Sequence, residues 1–246
     1  MRRLLLVLAV LVCLGAVVAF QVTRPERAAS RPKVFVPSAS FFEDFSPGFR
    51  TSIADAYYLY MVQYYGEHIK SDGRLDSMVD LVNLVTRLSP HFIKAYQFGT
   101  FAMLDARQTP AAYDLLQRGV VANPDDWRLP AMAGFLVYEF GRGEAKDEVA
   151  AEWYAKAAAV PGAPAYLARL AATLTAKGGE REKAALMWAQ VYADGDEYSR
   201  AKAVAALDQI LPAEKEARMR ALAPLMGTMP GDEFERLVSA LFEDFL

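Results

Sequence analysis

Two similar stretches, LVTRLSP at residues 84–90 and RGVVANP at residues 118–124, decide the fold of this chain. Each closes a helix-like run with a proline, and Pro90 and Pro124 are 34 residues apart. Proline lacks an amide hydrogen and fixes its own φ angle, so both prolines mark places where a helix stops. Small residues follow the same step at Gly66, Thr100 and Gly134. The period predicts an internal repeat built of two helices per unit.

This pattern resembles the tetratricopeptide repeat family, with four units in phase over about residues 58–196. The small eighth position of the family is Gly66, Thr100, Gly134 and Ala172. The small twentieth position is Met78, Ala112, Ala150 and Ala184, and the large twenty-fourth is Val82, Leu116, Tyr154 and Trp188. The third unit needs four extra residues in its turn, GRGEAKDE, and the family's tryptophan at the fourth position is absent from all four units. The resemblance implies helices that cross closely wherever these small residues lie.

The expected architecture is all-α: a solenoid of about four to five helix pairs with a C-terminal capping helix. We assign the repeats to residues 48–211 and the capping helices to 212–246. The last segment places Phe234, Leu237, Val238, Leu241, Phe242 and Phe245 on one face at helical spacing. This face predicts either a cap on the terminal repeat or a helix that binds a partner.

The N-terminus predicts a membrane segment over residues 1–22. Arg2 and Arg3 precede an uninterrupted apolar run from Leu4 to Phe20, near the minimum length that crosses a bilayer. A signal peptide cleaved after Ala19 is the alternative. We favour an uncleaved anchor, because the run is long and lacks a polar end, with the repeats outside the cytoplasm. Four stretches also carry a narrower resemblance: SIADAYYLYMVQYYGEH, LSPHFIKAYQFG, NPDDWRLPAMAGF and AAAVPGAPAYLARLAA. They resemble bacterial proteins that join such an anchor to extracytoplasmic repeats. Residues 23–47, rich in proline and serine, predict a linker and an extended segment.

Composition and motifs favour binding over chemistry. The net charge is −3 and basic residues are scattered, so we expect no nucleic-acid partner. Cys13 is the only cysteine, and neither His68 nor His91 has a metal-ligand spacing, so we expect no metal or cofactor. Asp125 and Asp126 follow Pro124 and predict a helix cap rather than a catalytic pair. We expect that the protein is not an enzyme.

In the family, the first helix of each repeat lines the concave face. Carried over position by position, this predicts a partner-binding surface of Tyr60, Gln63, Glu67, Lys94, Gln97, Phe101, Asp105, Arg128, Phe135, Tyr138, Glu139, Tyr166, Arg169 and Lys177. Aromatic, amide and charged side chains of both signs suit an extended peptide or a partner helix.

The leading hypothesis is therefore a membrane-anchored scaffold that recruits a protein or peptide partner, with its repeats in a bacterial periplasm. A periplasmic chaperone for exported proteins is the second hypothesis. An enzyme with an unfamiliar site is the third.

Overall fold

The computed structural model describes Gly15 and residues 35–45, 47–213 and 215–242. The chain divides into two units, Met1–Phe35 and Val36–Leu246, and every helix named below belongs to the second. Apart from Gly15, the predicted membrane segment and the first part of the linker lie outside the described residues. No helix in the described part of the chain combines the length and apolar character needed to span a bilayer.

Antiparallel helix pairs follow one another along the chain. They are α2 (Arg50–Ile69) with α3 (Met78–Leu88), α4 (Ile93–Asp105) with α5 (Thr109–Ala122), α6 (Arg128–Phe140) with α7 (Lys146–Ala158), and α8 (Tyr166–Lys177) with α9 (Arg181–Asp194). The chain continues through α10 (Glu197–Ile210), α11 (Lys215–Leu222), a 3-10 segment (Ala223–Gly227) and α12 (Gly231–Leu241). From α2 to α10, each helix packs mainly on its neighbours in sequence. The expectation of an all-helical repeat protein is confirmed for the described residues.

We call α2, α4, α6, α8 and α10 the first helices, and α3, α5, α7 and α9 the second helices. The second helices end at Leu88, Ala122, Ala158 and Asp194, so that successive ends are 34, 36 and 36 residues apart. Among helices of different repeats that do not follow each other in the chain, the first helices make the most contacts: α4 with α6, and α8 with α10. The first helices therefore lie nearer to one another than the second helices do.

The predicted signature positions are packed as expected in the second, third and fourth pairs. Ala112, Ala150 and Ala184 are fully buried in second helices. At Gly134, an added Cβ would lie 3.1 Å from three ring atoms of Tyr154, so a larger residue there would push α6 away from α7. The extra residues of the third unit lengthen the turn 141–145, where Gly143 adopts a positive φ of 97°.

In the first pair the predicted register is wrong. Gly66 is exposed, and a Cβ added there would meet nothing within 4 Å, so no helix crosses it. The turn between α2 and α3 spans residues 70–77, five residues longer than the turn 106–108 that joins α4 to α5. Moving the register by those five residues puts Met61 at the crossing position, and Met61 is fully buried.

Two close contacts of helical glycines with side chains of a neighbouring helix were not predicted from the sequence. A Cβ added to Gly99 would lie 2.6 Å from a methyl carbon of Val82, and one added to Gly119 would lie 2.7 Å from the ring of Tyr96. Both glycines lie in helices, where glycine costs about 0.5–1 kcal/mol relative to alanine. Because neither residue has a Cβ, α4 can pack closely on α3 at Gly99, and α5 can pack closely on α4 at Gly119.

Polar contacts join successive repeats. Asn123, the residue before Pro124, donates from its side-chain amide to the carbonyl oxygens of Pro90 (2.9 Å) and Gly119 (3.0 Å). Hydrogen bonds also join like helices of neighbouring pairs: Tyr65 to Asp105, Arg118 to Asn83, Trp153 to Tyr113, and Arg169 to Ser199. Each repeat is therefore positioned by the one beside it.

The segment before α2 differs from the predicted extended linker. Residues 39–45 form a short helix, α1 (Ala39–Phe45), followed by a 3-10 turn at Pro47–Phe49. The helix begins where Ser38 accepts a hydrogen bond from the amide of Phe41 through its side-chain oxygen, and no proline interrupts residues 38–45. This segment packs on α2, because the ring centre of Phe42 lies 5.7 Å from that of Tyr57.

The C-terminal helix α12 buries its apolar face against the fourth pair and α10. Leu237, Leu241 and Phe242 belong to one core cluster with Trp188 and Leu207. Phe234 and Val238 pack against this cluster, while Phe245 lies outside the described residues. The side chain of Arg218 is 6% exposed and donates to the carbonyl oxygen of Leu241, which ties α11 to the end of α12. The packed face fits a cap better than a free partner-binding helix.

Candidate interaction surface

Exposed aromatic side chains mark the first helices. Within residues 50–210, every large aromatic residue in the exposed class lies on a first helix: Tyr60, Phe101, Phe135, Phe140, Tyr166 and Tyr198. Each of the five first helices carries at least one of them. On the second helices the exposed large apolar residues are Val121 and Leu186. The exposed aromatic residues of the repeats are therefore confined to the first helices.

All fourteen predicted surface residues lie on first helices, and none of them is buried. Eleven are exposed, while Gln97, Tyr138 and Arg169 are half-buried. Phe101 is 54% exposed at the centre of the second pair. The structure gives their placement and packing, and their role in binding stays a prediction.

Tyr154 of the second helix α7 is buried in a core cluster against which Tyr138 of α6 packs. Burial is the main cause that raises the pKa of Tyr154 to about 12. Smaller electrostatic contributions in the same direction come from Tyr166, Glu139 and Tyr138. Three of the predicted residues, from α6 and α8, therefore act on the titration of one side chain of a second helix.

Cations flank the aromatic rings of this surface. The ammonium nitrogens of Lys146 and Lys177 lie 5.4 Å and 5.6 Å from the ring centre of Tyr138. Lys177 also lies 4.0 Å from a carboxylate oxygen of Asp147, an ion pair too exposed to add much stability. Arg128 is held within its own turn, because its side chain donates to Asp126 at 2.8 Å and stacks on Trp127.

The register error in the first pair changes which residues of α2 face α4. Tyr60, Gln63 and Glu67 were placed by the register that Gly66 disproves. The ring of Tyr58 lies 6.2 Å from that of Phe98, and Tyr65 donates a hydrogen bond to Asp105 at 2.5 Å, which raises the pKa of Tyr65. The length of the segment 70–77 was the sequence signal that could have revealed this shift.

Two residues of α10, Tyr198 and Lys202, also belong to this surface and were missed. The repeat signature covers about residues 58–196, so it predicts no surface residue on α10. Tyr198 is 60% exposed and lies beside Arg169, whose guanidinium carbon is 5.1 Å from the ring centre.

The histidines are both engaged in structural contacts. The imidazole Nδ1 of His68 lies 2.8 Å from the carbonyl oxygen of Tyr64, and its ring packs on that tyrosine. His91 Nδ1 lies 3.2 Å from the side-chain oxygen of Asn123. Asp126 caps its turn by accepting from the amide of Arg128 at 2.9 Å. In the described ranges, no three histidine, cysteine, aspartate or glutamate residues cluster in a way that could hold a metal ion.

The class of protein that this fold defines is an all-helical repeat protein. No protein-family model matches the chain, and no curated protein matches it. Among solved structures, the crystal structure of MamA protein is similar, with 14% sequence identity and a TM-score of 0.42. The similarity covers 80% of this chain and 92% of the MamA chain.

Proposed function

We propose that the protein is a scaffold of the tetratricopeptide type whose first helices bind a protein or peptide partner. One observation carries the proposal: the exposed aromatic residues of the repeats lie on the first helices, with at least one on each. Such residues are the commonest anchors of protein interfaces, because they bury large areas at little cost in conformational entropy. The repeat spacing, and the packed small residues at positions eight and twenty of the second, third and fourth pairs, support the family assignment.

The neighbouring charges suit a peptide partner. Gln97 and Glu139 offer hydrogen-bonding groups beside the aromatic residues, and Arg169 and Lys177 offer cations. A mixed surface of this kind recognises the backbone and side chains of an extended segment. Since the histidines have structural contacts, we infer that the protein acts by binding and has no catalytic activity.

Photocrosslinking in native membranes tests the proposal. A photoreactive residue replaces Phe101 on α4, and the matched control replaces Val121, which is 81% exposed on the second helix α5 of the same pair. We expect one dominant protein adduct from position 101, none from position 121, and loss of the adduct when Tyr138 is replaced.

The other outcomes separate the hypotheses. A wide range of exported proteins crosslinked through position 101 would favour a periplasmic chaperone over a dedicated scaffold. Equal adducts from both positions, or none from position 101, would refute the first-helix face as the working surface.

We also propose that residues 1–22 anchor the chain in a bacterial inner membrane with the repeats in the periplasm. The support is the apolar run from Leu4 to Phe20 behind Arg2 and Arg3. Protease added to spheroplasts should digest the repeats, while alkaline carbonate should leave the chain in the membrane fraction. Release by carbonate would indicate a cleaved, soluble form, and protection from protease would refute the orientation.

A further inference from the structure

A positively charged groove of the repeats lies between the first helices α8 and α10, beside the second helix α9. Its volume is about 800 Å³, enough for several side chains of a bound peptide. We call it the basic groove and define it by Arg169, Lys177, Arg181, Lys202, Tyr198 and Trp188.

Four cations and no carboxylate line the basic groove. This is unusual for a chain whose net charge is −3. Acidic residues lie outside this lining, among them Asp147, 4.0 Å from Lys177, Glu180, which pairs with Lys183, and Asp196, which caps α10 by accepting from the amide of Ser199. The lining itself carries an excess of positive charge.

An aromatic ring holds two of these cations in place of a carboxylate. The guanidinium carbon of Arg169 and the ammonium nitrogen of Lys202 lie 5.1 Å and 5.5 Å from the ring centre of Tyr198. In the part of the chain that the structure describes, neither cation has an acidic oxygen within 4.0 Å. Arg169 uses one donor on the hydroxyl of Ser199, which leaves others for a ligand. The ring therefore positions both cations, and among the described residues neither forms an ion pair at contact distance.

The base of the groove is apolar. Trp188 lies there with 6% of its surface exposed, and Ala206 and Ile210 of α10 line the wall beside it. A bound segment could place apolar side chains on this base while its carboxylates reach the cations at the rim. Neither a purely acidic nor a purely apolar segment would use both features.

We infer that the basic groove binds a segment of a partner protein in which acidic and apolar residues alternate. This inference rests on the proposed function and specifies the partner chemistry at one part of the same surface. Charge-assisted hydrogen bonds from arginine and lysine would supply affinity and orientation. The excess positive charge would speed the encounter with an acidic segment.

Fluorescence anisotropy with the full chain tests the inference. The probes are fluorescein-labelled peptides of alternating glutamate and leucine, glutamine and leucine, or lysine and leucine. We expect saturable binding of the glutamate peptide only, weakened by added salt. Lys202→Glu should weaken it about tenfold, because a favourable charge pair becomes a repulsive one.

The matched control is Lys156→Glu on the second helix α7. Lys156 also lies over an aromatic ring, 5.3 Å from the centre of Trp153, but outside the groove. Lys156→Glu makes the same change of charge and should leave the affinity for the glutamate peptide unchanged. Circular dichroism of both variants checks that neither change unfolds the chain.

Three results would overturn the inference. They are equal binding of the three peptides, equal affinity of Lys202→Glu and the parent for the glutamate peptide, and no binding of the glutamate peptide. Lys202-dependent binding to phosphatidylglycerol vesicles without peptide binding would also overturn it, in favour of a lipid surface. A partner crosslinked through position 101 would still support the proposed function in each case. The two failures are therefore distinguishable.

Discussion

Replacing Gly66 and Gly99 with alanine should change stability in opposite directions. Gly66 lies inside α2 with open space around its missing Cβ, so Gly66→Ala removes backbone freedom from the unfolded chain at no steric cost. We expect a gain of about 0.5–1 kcal/mol in the free energy of unfolding.

Gly99→Ala receives the same entropic benefit but meets the core. Its Cβ would lie 2.6 Å and 3.0 Å from the two methyl carbons of Val82 and 3.2 Å from a methyl carbon of Leu115. Val82 and Leu115 are fully buried, so neither can swing into solvent. Overpacking of this kind costs about 1–3 kcal/mol, and the two variants should therefore differ by roughly that amount.

Urea unfolding followed by far-UV circular dichroism measures both changes, with the parent chain in the same series. A loss of more than about 1 kcal/mol for Gly66→Ala would show that the helices do cross at Gly66, as the repeat signature predicted. Equal stability of the two variants would refute the close approach of α3 and α4 at Gly99.

Three further changes test the packing between and within repeats. Asn123→Ala should cost about 1–3 kcal/mol, because it leaves the carbonyl oxygens of Pro90 and Gly119 without its two side-chain hydrogen bonds. Gly134→Leu should cost about 3 kcal/mol, because its side chain would push the ring of Tyr154 out of place. The pKa of Tyr154 is about 12 in the folded protein against an ordinary 10.0. The neutral tyrosine therefore stabilises the fold fully below pH 10, and this stabilisation is lost as the pH rises to 12. Tyr154→Phe should reduce this loss of stability at alkaline pH.

Each of these results has a defined contradiction. Asn123→Asp also removes the amide donors, so it should lose as much unfolding free energy as Asn123→Ala. If Asn123→Ala is as stable as the parent, the two hydrogen bonds do not stabilise the fold. Unchanged thermal unfolding of Gly134→Leu would show that the register of the third pair is wrong. An identical fall in unfolding free energy between pH 10 and 12 for Tyr154→Phe and the parent would place the titrating group elsewhere.

The all-helical repeat could be predicted because small residues and prolines recur at its 34-residue spacing. Ala112, Ala150 and Ala184 are buried as their positions required, since a crossing point tolerates only a small side chain or a local rearrangement. The same reasoning failed in the first pair, where spacing alone placed Gly66 at a crossing. A turn can lengthen without changing the residues around it, so the 34-residue step matched while the geometry did not.

The structure places the predicted surface residues on first helices, and their role in binding stays a prediction. A first helix can be recognised by its place in the period, and all the predicted residues lie on such helices. The cations around Tyr198 could not be predicted, because Arg169 and Lys202 are 33 positions apart in sequence and only the packing of α8 on α10 brings them to one ring. The net charge of −3 also gave no indication of a groove that is locally positive.

Because each helix from α2 to α10 contacts mainly its neighbours in sequence, no single centre holds the repeats together. A pair could be duplicated or deleted with only two interfaces to rebuild, provided that α12 still covers the last one. The length of the binding surface can thus evolve separately from its chemistry. Modular growth of this kind lets a lineage match a longer partner without redesigning its interior.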